Sequence, residues 1–279
     1  MDNSVDQHMT EIYYFVDEFF KGHPLLAHWR HSPPAQPQFS DAEVLTVALR
    51  QGVFEVATLK QTYRLVAHNW RAAFPHLPSY QQWVARLHHL LPLVGRLLGT
   101  TCGHALRAAR LYLIDSKPLP LCVSPSGTGG CGCCGTKAPN FGKTSKGGFL
   151  GFKLHVLRHI SGRVMNLVLT PGNWEDREPA LALVETVDGG VTLGDLGYRG
   201  PECRGRLAEE AERRRLTRDQ APTHQFTLSH VRQGMETTFS QLWWKFVDRV
   251  FSRSWHGLWT TIQLKVLYYN LVHAGLVSA

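Results

Sequence analysis

The sequence lacks any long apolar segment. No uninterrupted apolar run reaches the ~18 residues that a membrane-spanning helix needs. The first residues, MDNSVDQHMTE, are polar and acidic, whereas a secretory signal peptide begins with basic residues and continues with apolar ones. These absences predict a soluble cytoplasmic protein that has no membrane partner.

The distribution of the six cysteines is uneven. Three of the six cysteines crowd into the segment CGCC. Without an export signal, these residues are expected to be reduced thiols rather than a disulfide framework. A zinc site in this segment is an alternative, although structural zinc sites usually pair their cysteines through two-residue spacers. Eight residues separate Cys122 from Cys131, so the spacing does not favour zinc.

Acidic residues are outnumbered by basic ones. The chain carries a formal charge of +8 and has a pI of about 9.3, yet only 19% of its 279 residues are charged. The basic excess therefore lies on an ordinary globular background rather than in a disordered tail. This balance favours an anionic partner, with nucleic acid first, and the length allows two domains.

The first hundred residues predict helices only. Apolar residues recur at helical spacing over residues 8–22, and Ser40 with Glu43 fits a capping box. Further helices are predicted over Leu59–Phe74 and from Ser79, the last one kinked or broken at Pro92. We therefore predict a helical N-terminal domain over 1–103, whose basic faces fit either DNA binding or dimerisation.

The second predicted domain, 104–279, begins with RLYLIDSKPLPLC. Leu111–Ile114 form a continuous apolar run, which favours a short strand buried on both faces and ending at Asp115. Pro118 and Pro120 are expected to end that strand, because proline does not suit a central strand. The glycine- and cysteine-rich segment 123–148 is predicted to be a long loop.

A second carboxylate follows another predicted strand. The runs Phe149–Leu157 and Val164–Thr170 predict a hairpin beside the first strand. After a helix at Pro179–Val187, the short strand Val191–Gly194 leads directly into Asp195. An aspartate after a single strand is usually a turn former, but two such tips on neighbouring strands would bring the carboxylates together.

A third carboxylate lies on a late helix. The helix predicted from Leu228 has a regular apolar stripe, and Glu236 borders that stripe between Met235 and Phe239. A solvated surface role is the simpler interpretation of a lone helical glutamate. Further helices are predicted around Pro201–Arg213 and over Trp255–Val272.

Three carboxylates in this order suit metal-dependent chemistry. Two close aspartates repel each other unless a divalent cation lies between them, and carboxylate oxygens suit Mg²⁺ or Mn²⁺. Three carboxylates can hold two such ions about 3.5–4 Å apart. Such a pair activates water or a 3′ hydroxyl for attack on a phosphodiester, so the predicted reaction class is phosphoryl transfer on nucleic acid.

Four motifs together resemble a known family. The segments IDSKPLPLC, GFKLHVLRHISGRVMNLVLTPGN, GDLGYRG and HVRQGMETTFSQL are similar to those of bacterial insertion-sequence transposases with an RNase H-like core and a DDE triad. The likeness covers about Leu111–Val272. It implies a mixed α/β RNase H-like catalytic domain in which Asp115, Asp195 and Glu236 are both the catalytic residues and the metal ligands.

The resemblance also implies partners and cofactors. It implies two Mg²⁺ or Mn²⁺ ions, double-stranded DNA as both element end and target, and a homodimer or larger synaptic complex. Arg232, four residues before Glu236, matches the family pattern. With it we assign to DNA binding five further basic residues: Lys143, Lys146, Lys153, Arg199 and Lys245. Lys117 is among the other basic residues that fit a DNA path through phosphate contacts.

Departures from the family pattern leave alternatives open. Leu196 stands where members commonly carry Lys, and Ser229 and Trp243 stand where related enzymes place Tyr and Lys. The expected function is cutting at the ends of an insertion sequence and joining them to target DNA. The alternatives are a catalytically silent DNA-binding copy and a structure-specific nuclease on the same core.

Overall fold

The structure is a computed structural model that describes residues 3–24, 26, 37–103, 111–122, 139–144, 147–187, 189–194, 222–244, 252 and 254–278. These ranges hold seven helices and five strands. In chain order they are α1 (Asn3–Gly22), α2 (Asp41–Val53), α3 (Leu59–Asn69), α4 (Tyr80–Cys102), β1 (Leu111–Cys122), β2 (Asn140–Thr144), β3 (Gly147–His159), β4 (Val164–Pro171), α5 (Arg177–Val184), β5 (Val191–Gly194), α6 (Pro222–Trp244) and α7 (Trp255–His273).

The elements form two compact units. One unit contains α1 to α4 together with α7, and the other contains the sheet with α5 and α6. The sequence-based division at residue 103 had placed α7 with the sheet. Helix α7 is buried along most of its length, from Leu258 to Leu271. Burial of this extent is typical of a helix in a hydrophobic core.

Local sequence signals explain how the helical unit is built. Ser40 and Glu43 form the predicted capping box, in which Glu43 N–H donates to Ser40 Oγ at 3.1 Å and Ser40 N–H donates to Glu43 Oε2. Helix α4 continues through Pro92, where a kink or break was expected. Buried Trp83 on this helix donates its indole N–H to the Val44 carbonyl at 3.2 Å, which ties α4 to α2.

The second unit is a mixed sheet with the order β2-β3-β1-β5, and β4 also pairs with β3. Strand β3 is antiparallel to β1, β2 and β4, whereas β5 is parallel to β1. The predicted hairpin is confirmed as β3 and β4, and the predicted short strand is confirmed as β5. The α/β class with a mixed sheet is therefore confirmed.

Strand β1 is longer than predicted, because it continues through Pro118 and Pro120 to Cys122. The reason lies in the direction of its backbone groups. Ile160 N–H donates to Leu111 C=O, so by alternation the odd-numbered residues of β1 direct their backbone groups to β3. The even-numbered prolines face the other edge, where the pairing with β5 ends at Ile114. No hydrogen bond to β3 is lost to either proline.

The predicted loop 123–148 is also wrong in part. Its residues 140–144 form β2, which pairs with the first residues of β3. Gly142 allows this pairing, since a Cβ at that position would lie 2.6 Å from the ring of Phe149, its partner on β3. Residues 123–138, including the CGCC segment, lie outside the described residues.

Helices cover the two faces of the sheet. Tyr112, Ile114 and Leu157 form a buried cluster with Ala180 and Leu183 of α5. Helix α6 contacts β1 and buries Met235, Phe239 and Leu242. The helix predicted around 201–213 lies outside the described residues. No helix in the described ranges is long and apolar enough to span a membrane.

Candidate active site

Asp115 lies in the middle of β1 and is half-buried. Its Oδ1 accepts a hydrogen bond from Ser116 N–H at 2.8 Å. Side chains alternate along a strand, and Tyr112 and Ile114 belong to the cluster against α5. Asp115 therefore projects from the opposite face of the sheet, the face that α6 covers.

The register between β1 and β5 connects Asp115 to the second predicted aspartate. Leu111 to Ile114 pair in parallel with Val191 to Gly194, and the last pair is Ile114 with Gly194. Asp115 follows Ile114 directly, as Asp195 follows Gly194. Asp195 itself lies outside the described residues, as does Leu196.

Glu236 occupies the border of the buried stripe on α6, in agreement with the periodicity argument. Its neighbour Met235 is buried, whereas Glu236 is exposed. Glu236 lines an open groove of about 470 Å³ along α6. The other lining residues are Gln233, Thr237, Ser240, Gln241 and Trp244.

Two contacts of α6 with the sheet bracket Glu236 along the helix. At one contact, a Cβ on Gly234 would lie 2.8 Å from Nη1 of Arg158 on β3, so glycine allows this close approach. At the other, Lys117 Nζ lies over the rings of Phe239 and Trp243. Arg158 pairs with Leu113, so the two contacts also bracket Asp115 along β1.

The predicted DNA-binding residues have different surroundings. Lys143 is exposed on β2, as a phosphate contact requires. Lys153 instead donates to Asp176 Oδ1 at 3.0 Å and to the Trp174 carbonyl at 2.9 Å. Arg232 belongs to α6, but its side chain is not described. Lys146, Arg199 and Lys245 lie outside the described residues.

A buried histidine lies on the other face of the sheet. His155 Nε2 and Thr170 Oγ1 are 2.8 Å apart, and His155 Nδ1 lies 4.0 Å from Asp176 Oδ1. Burial is the main cause that lowers the pKa of His155 to about 4, and nearby Lys153 lowers it further while Asp176 opposes the shift. Asp176 is the N-cap residue of α5, but its carboxylate bonds Lys153 instead of capping the helix.

The donor chemistry at the α6 face suits a hard divalent cation. Asp115 and Glu236 offer carboxylate oxygens, the ligands that Mg²⁺ and Mn²⁺ prefer. No group of three or more His, Cys, Asp or Glu side chains in the described ranges is arranged to hold a metal, and Asp195 is outside those ranges. The one cysteine whose thiol is described is the buried Cys102.

Sequence reasoning missed the contacts of Arg158 and Lys117 with α6. The sequence placed Lys117 among the basic residues that fit a DNA path and marked Trp243 as a departure from the family pattern, but it did not connect the two. The available signal was the two-residue spacing from Asp115, which places Lys117 on the same face of β1. The partner of that lysine depends on how α6 is docked, which local patterns do not contain.

Comparison with known proteins gives one match. The family model described as "Transposase DDE domain" matches residues 107–271, more than half of the chain. Neither the curated proteins nor the solved structures contain a match. The family match confirms the resemblance carried by the four motifs and, with the mixed sheet, the RNase H-like class of the core. The chain therefore belongs to the transposase DDE domain family, in the insertion-sequence group that its motifs resemble.

Proposed function

We propose that the protein cuts DNA at the ends of an insertion sequence and joins those ends to target DNA. Asp115, Asp195 and Glu236 are the catalytic carboxylates of this reaction. The supporting observation is the parallel register of β1 and β5, in which Ile114 pairs with Gly194 one residue before each aspartate. We therefore expect the two aspartates, each one residue further along its strand, to follow at neighbouring positions.

Glu236 lies on α6, the helix that contacts β1 on the Asp115 face of the sheet. It lies between two points at which α6 contacts the Asp115 face, Gly234 against Arg158 and Phe239 against Lys117. Its exposure leaves the carboxylate accessible from the groove along α6. Rigid mounting on a strand and a packed helix suits a site whose ligands must keep their geometry.

The three carboxylates would hold two Mg²⁺ or Mn²⁺ ions. Ions held in this way supply positive charge to the attacking and leaving oxygens of an in-line displacement at phosphorus. The chain itself orients the DNA end through basic residues, for which we propose Arg232, Lys143, Lys146, Arg199 and Lys245. The +8 net charge supports this role through affinity for phosphates. Two copies acting on two ends would form the synaptic complex.

Single substitutions test the proposal. Asp115→Asn, Asp195→Asn and Glu236→Gln should each lower Mg²⁺-dependent cleavage by at least roughly 100-fold, as expected when preorganised charge is removed from the reacting centre. The assay uses a plasmid that carries both flanking inverted repeats together with a second, target plasmid. Glu175→Gln, an exposed carboxylate beside α5, is the matched control.

The outcomes separate the proposal from its rivals. Retained cleavage in one variant removes that residue from the site. Cleavage without joined product identifies a structure-specific nuclease instead. Binding of the end DNA without turnover in any divalent metal identifies a silent DNA-binding copy. Gel-shift measurements and thermal unfolding of each variant show whether lost activity reflects lost binding or lost folding.

A further inference from the structure

Lys117 is held by two aromatic rings of α6. Its ammonium nitrogen lies 4.7 Å from the centre of the Trp243 ring and 5.5 Å from that of Phe239. The two rings meet edge to face, with centres 5.7 Å apart and an interplanar angle of 85°. Both distances are within the range of a cation–π interaction, so the rings restrict where the ammonium can lie.

The charge of Lys117 is not neutralised by a carboxylate in the part of the chain that the structure describes. Other lysines are paired: Lys21 with Asp17 at 2.8 Å, and Lys153 with Asp176 at 3.0 Å. Aromatic rings attract a cation without carrying a formal negative charge. The rings therefore hold a lysine side chain at a defined position, and this half-buried side chain remains partly accessible.

The position of this charge is set relative to Asp115. The two residues are two apart on β1, so their side chains share one face of the sheet at a spacing of about 7 Å along the strand. Glu236 lies seven residues before Trp243 on α6, so the two project within about 20° of each other around the helix. The ring that holds Lys117 is therefore on the same flank of α6 as Glu236.

We propose that Lys117 binds a phosphate of the DNA strand next to the phosphodiester that is cut, and that Trp243 and Phe239 position its ammonium for this contact. The inference rests on the proposed function, since it takes DNA as the substrate of the Asp115 site. A lysine ammonium is a compact point charge that suits a single phosphate oxygen. Lys117 then touches the substrate, whereas Trp243 acts only through Lys117.

DNA binding measured without divalent metal tests the phosphate contact directly. In Lys117→Met, the slope of log affinity against log salt should fall by about 1, with weaker binding to every end sequence. Lys117→Arg should restore the slope, because it restores the charge. Lys21→Met is the matched control, since it removes a lysine far from Asp115 in the sequence, on α1, and should leave the slope unchanged.

Cleavage at saturating DNA tests the positioning by Trp243. Trp243→Leu keeps the charge of Lys117 but removes the ring, so the salt slope should stay near that of the wild type while the cleavage rate falls several-fold. The double variant Lys117→Met with Trp243→Leu should cleave no more slowly than Lys117→Met alone, because the ring acts through the lysine. Additive losses would overturn the positioning role.

The outcomes also separate this inference from the proposed function. An unchanged salt slope in folded Lys117→Met overturns the phosphate contact, and a lower melting temperature with an unchanged slope reduces the lysine to a packing role. Glu236→Gln tests the site itself. Should that variant still cleave, the proposed function fails, but the metal-free salt slope continues to report on Lys117.

Discussion

Ile114 and Gly194 face each other across the parallel strands β1 and β5, and each is followed in the sequence by an aspartate. Four residues of each strand share this register, beginning with Leu111 and Val191. A slip of one residue would reverse the face on which the side chains of a strand project, so this register sets which residues of β1 and β5 lie beside each other. This relationship gives the site its first testable consequence.

Replacing either aspartate by cysteine should change the metal requirement. Asp115→Cys and Asp195→Cys are expected to lose cleavage in Mg²⁺, which prefers oxygen ligands, and to regain part of it in Mn²⁺, which tolerates sulfur better. The measurement is the cleavage rate in each metal. Asp115→Ala should show no recovery. Recovery at residue 115 but none at residue 195 would remove Asp195 from the metal ligands.

Gly151 tests the close packing of β3 against β1. A Cβ at this position would lie 2.1 Å from the Leu119 carbonyl oxygen, which belongs to the backbone and cannot move aside without shifting the strand. We expect Gly151→Ala to lower the free energy of unfolding by roughly 1–3 kcal/mol. Gly148→Ala is the control, because its Cβ would meet its nearest neighbour at an ordinary 3.7 Å. Urea unfolding of both variants should show a lower midpoint for Gly151→Ala.

Two helical glycines should respond to alanine in opposite directions. A Cβ on Gly52 of α2 would lie 2.2 Å from the buried ring of Tyr268, so Gly52→Ala should destabilise the helical unit. Gly95 on α4 is exposed and has open space around it. Gly95→Ala should add about 0.5–1 kcal/mol, because alanine is the better helix former. In thermal melts, a Gly52→Ala variant that melts at or above the wild-type temperature would contradict the packing of α2 against Tyr268.

His155 should make stability depend on pH between about 4 and 6.5. Its pKa is lowered from 6.5 to about 4, first because of burial, so in that interval the unfolded chain binds a proton that the folded chain does not. The free energy of unfolding is therefore highest above pH 6.5, and it falls by up to about 3 kcal/mol as the pH drops towards 4.

Urea unfolding across this interval measures the effect. His155→Gln removes the titrating ring and should flatten the profile relative to the wild type. His76→Gln, at an exposed position, is the control. Parallel profiles for the wild type and His155→Gln would show that the histidine does not cause the pH dependence.

Elements with strong local signals were predicted well. The capping box at Ser40 was confirmed with both of its hydrogen bonds, and β5 was confirmed with its predicted bounds Val191–Gly194. Both rest on residues close together in the chain, where side-chain chemistry and apolar spacing act directly. The position of Glu236 beside the buried stripe followed from helical periodicity in the same way.

Elements that depend on distant partners were predicted less well. We expected β1 to end at Pro118 because a central strand uses the backbone N–H groups at both of its edges. The backbone nitrogens of the two prolines do not face β3, so no hydrogen bond to β3 is lost. Strand β2 was hidden in a glycine-rich segment because its pairing depends on β3 and on the small volume of Gly142. The grouping of α7 with the N-terminal helices likewise depends on contacts across the chain.

The sequence by itself determined the family, the order of the three carboxylates and the helical nature of the first hundred residues, because motifs and apolar periodicity are local properties. Only the tertiary structure decided that Ile114 pairs with Gly194 and that Lys117 lies against Trp243. These relationships depend on the register of paired strands and on the docking of a helix against a sheet. Both minimise exposed apolar area and unpaired backbone groups over the whole unit, so no short segment of sequence determines them.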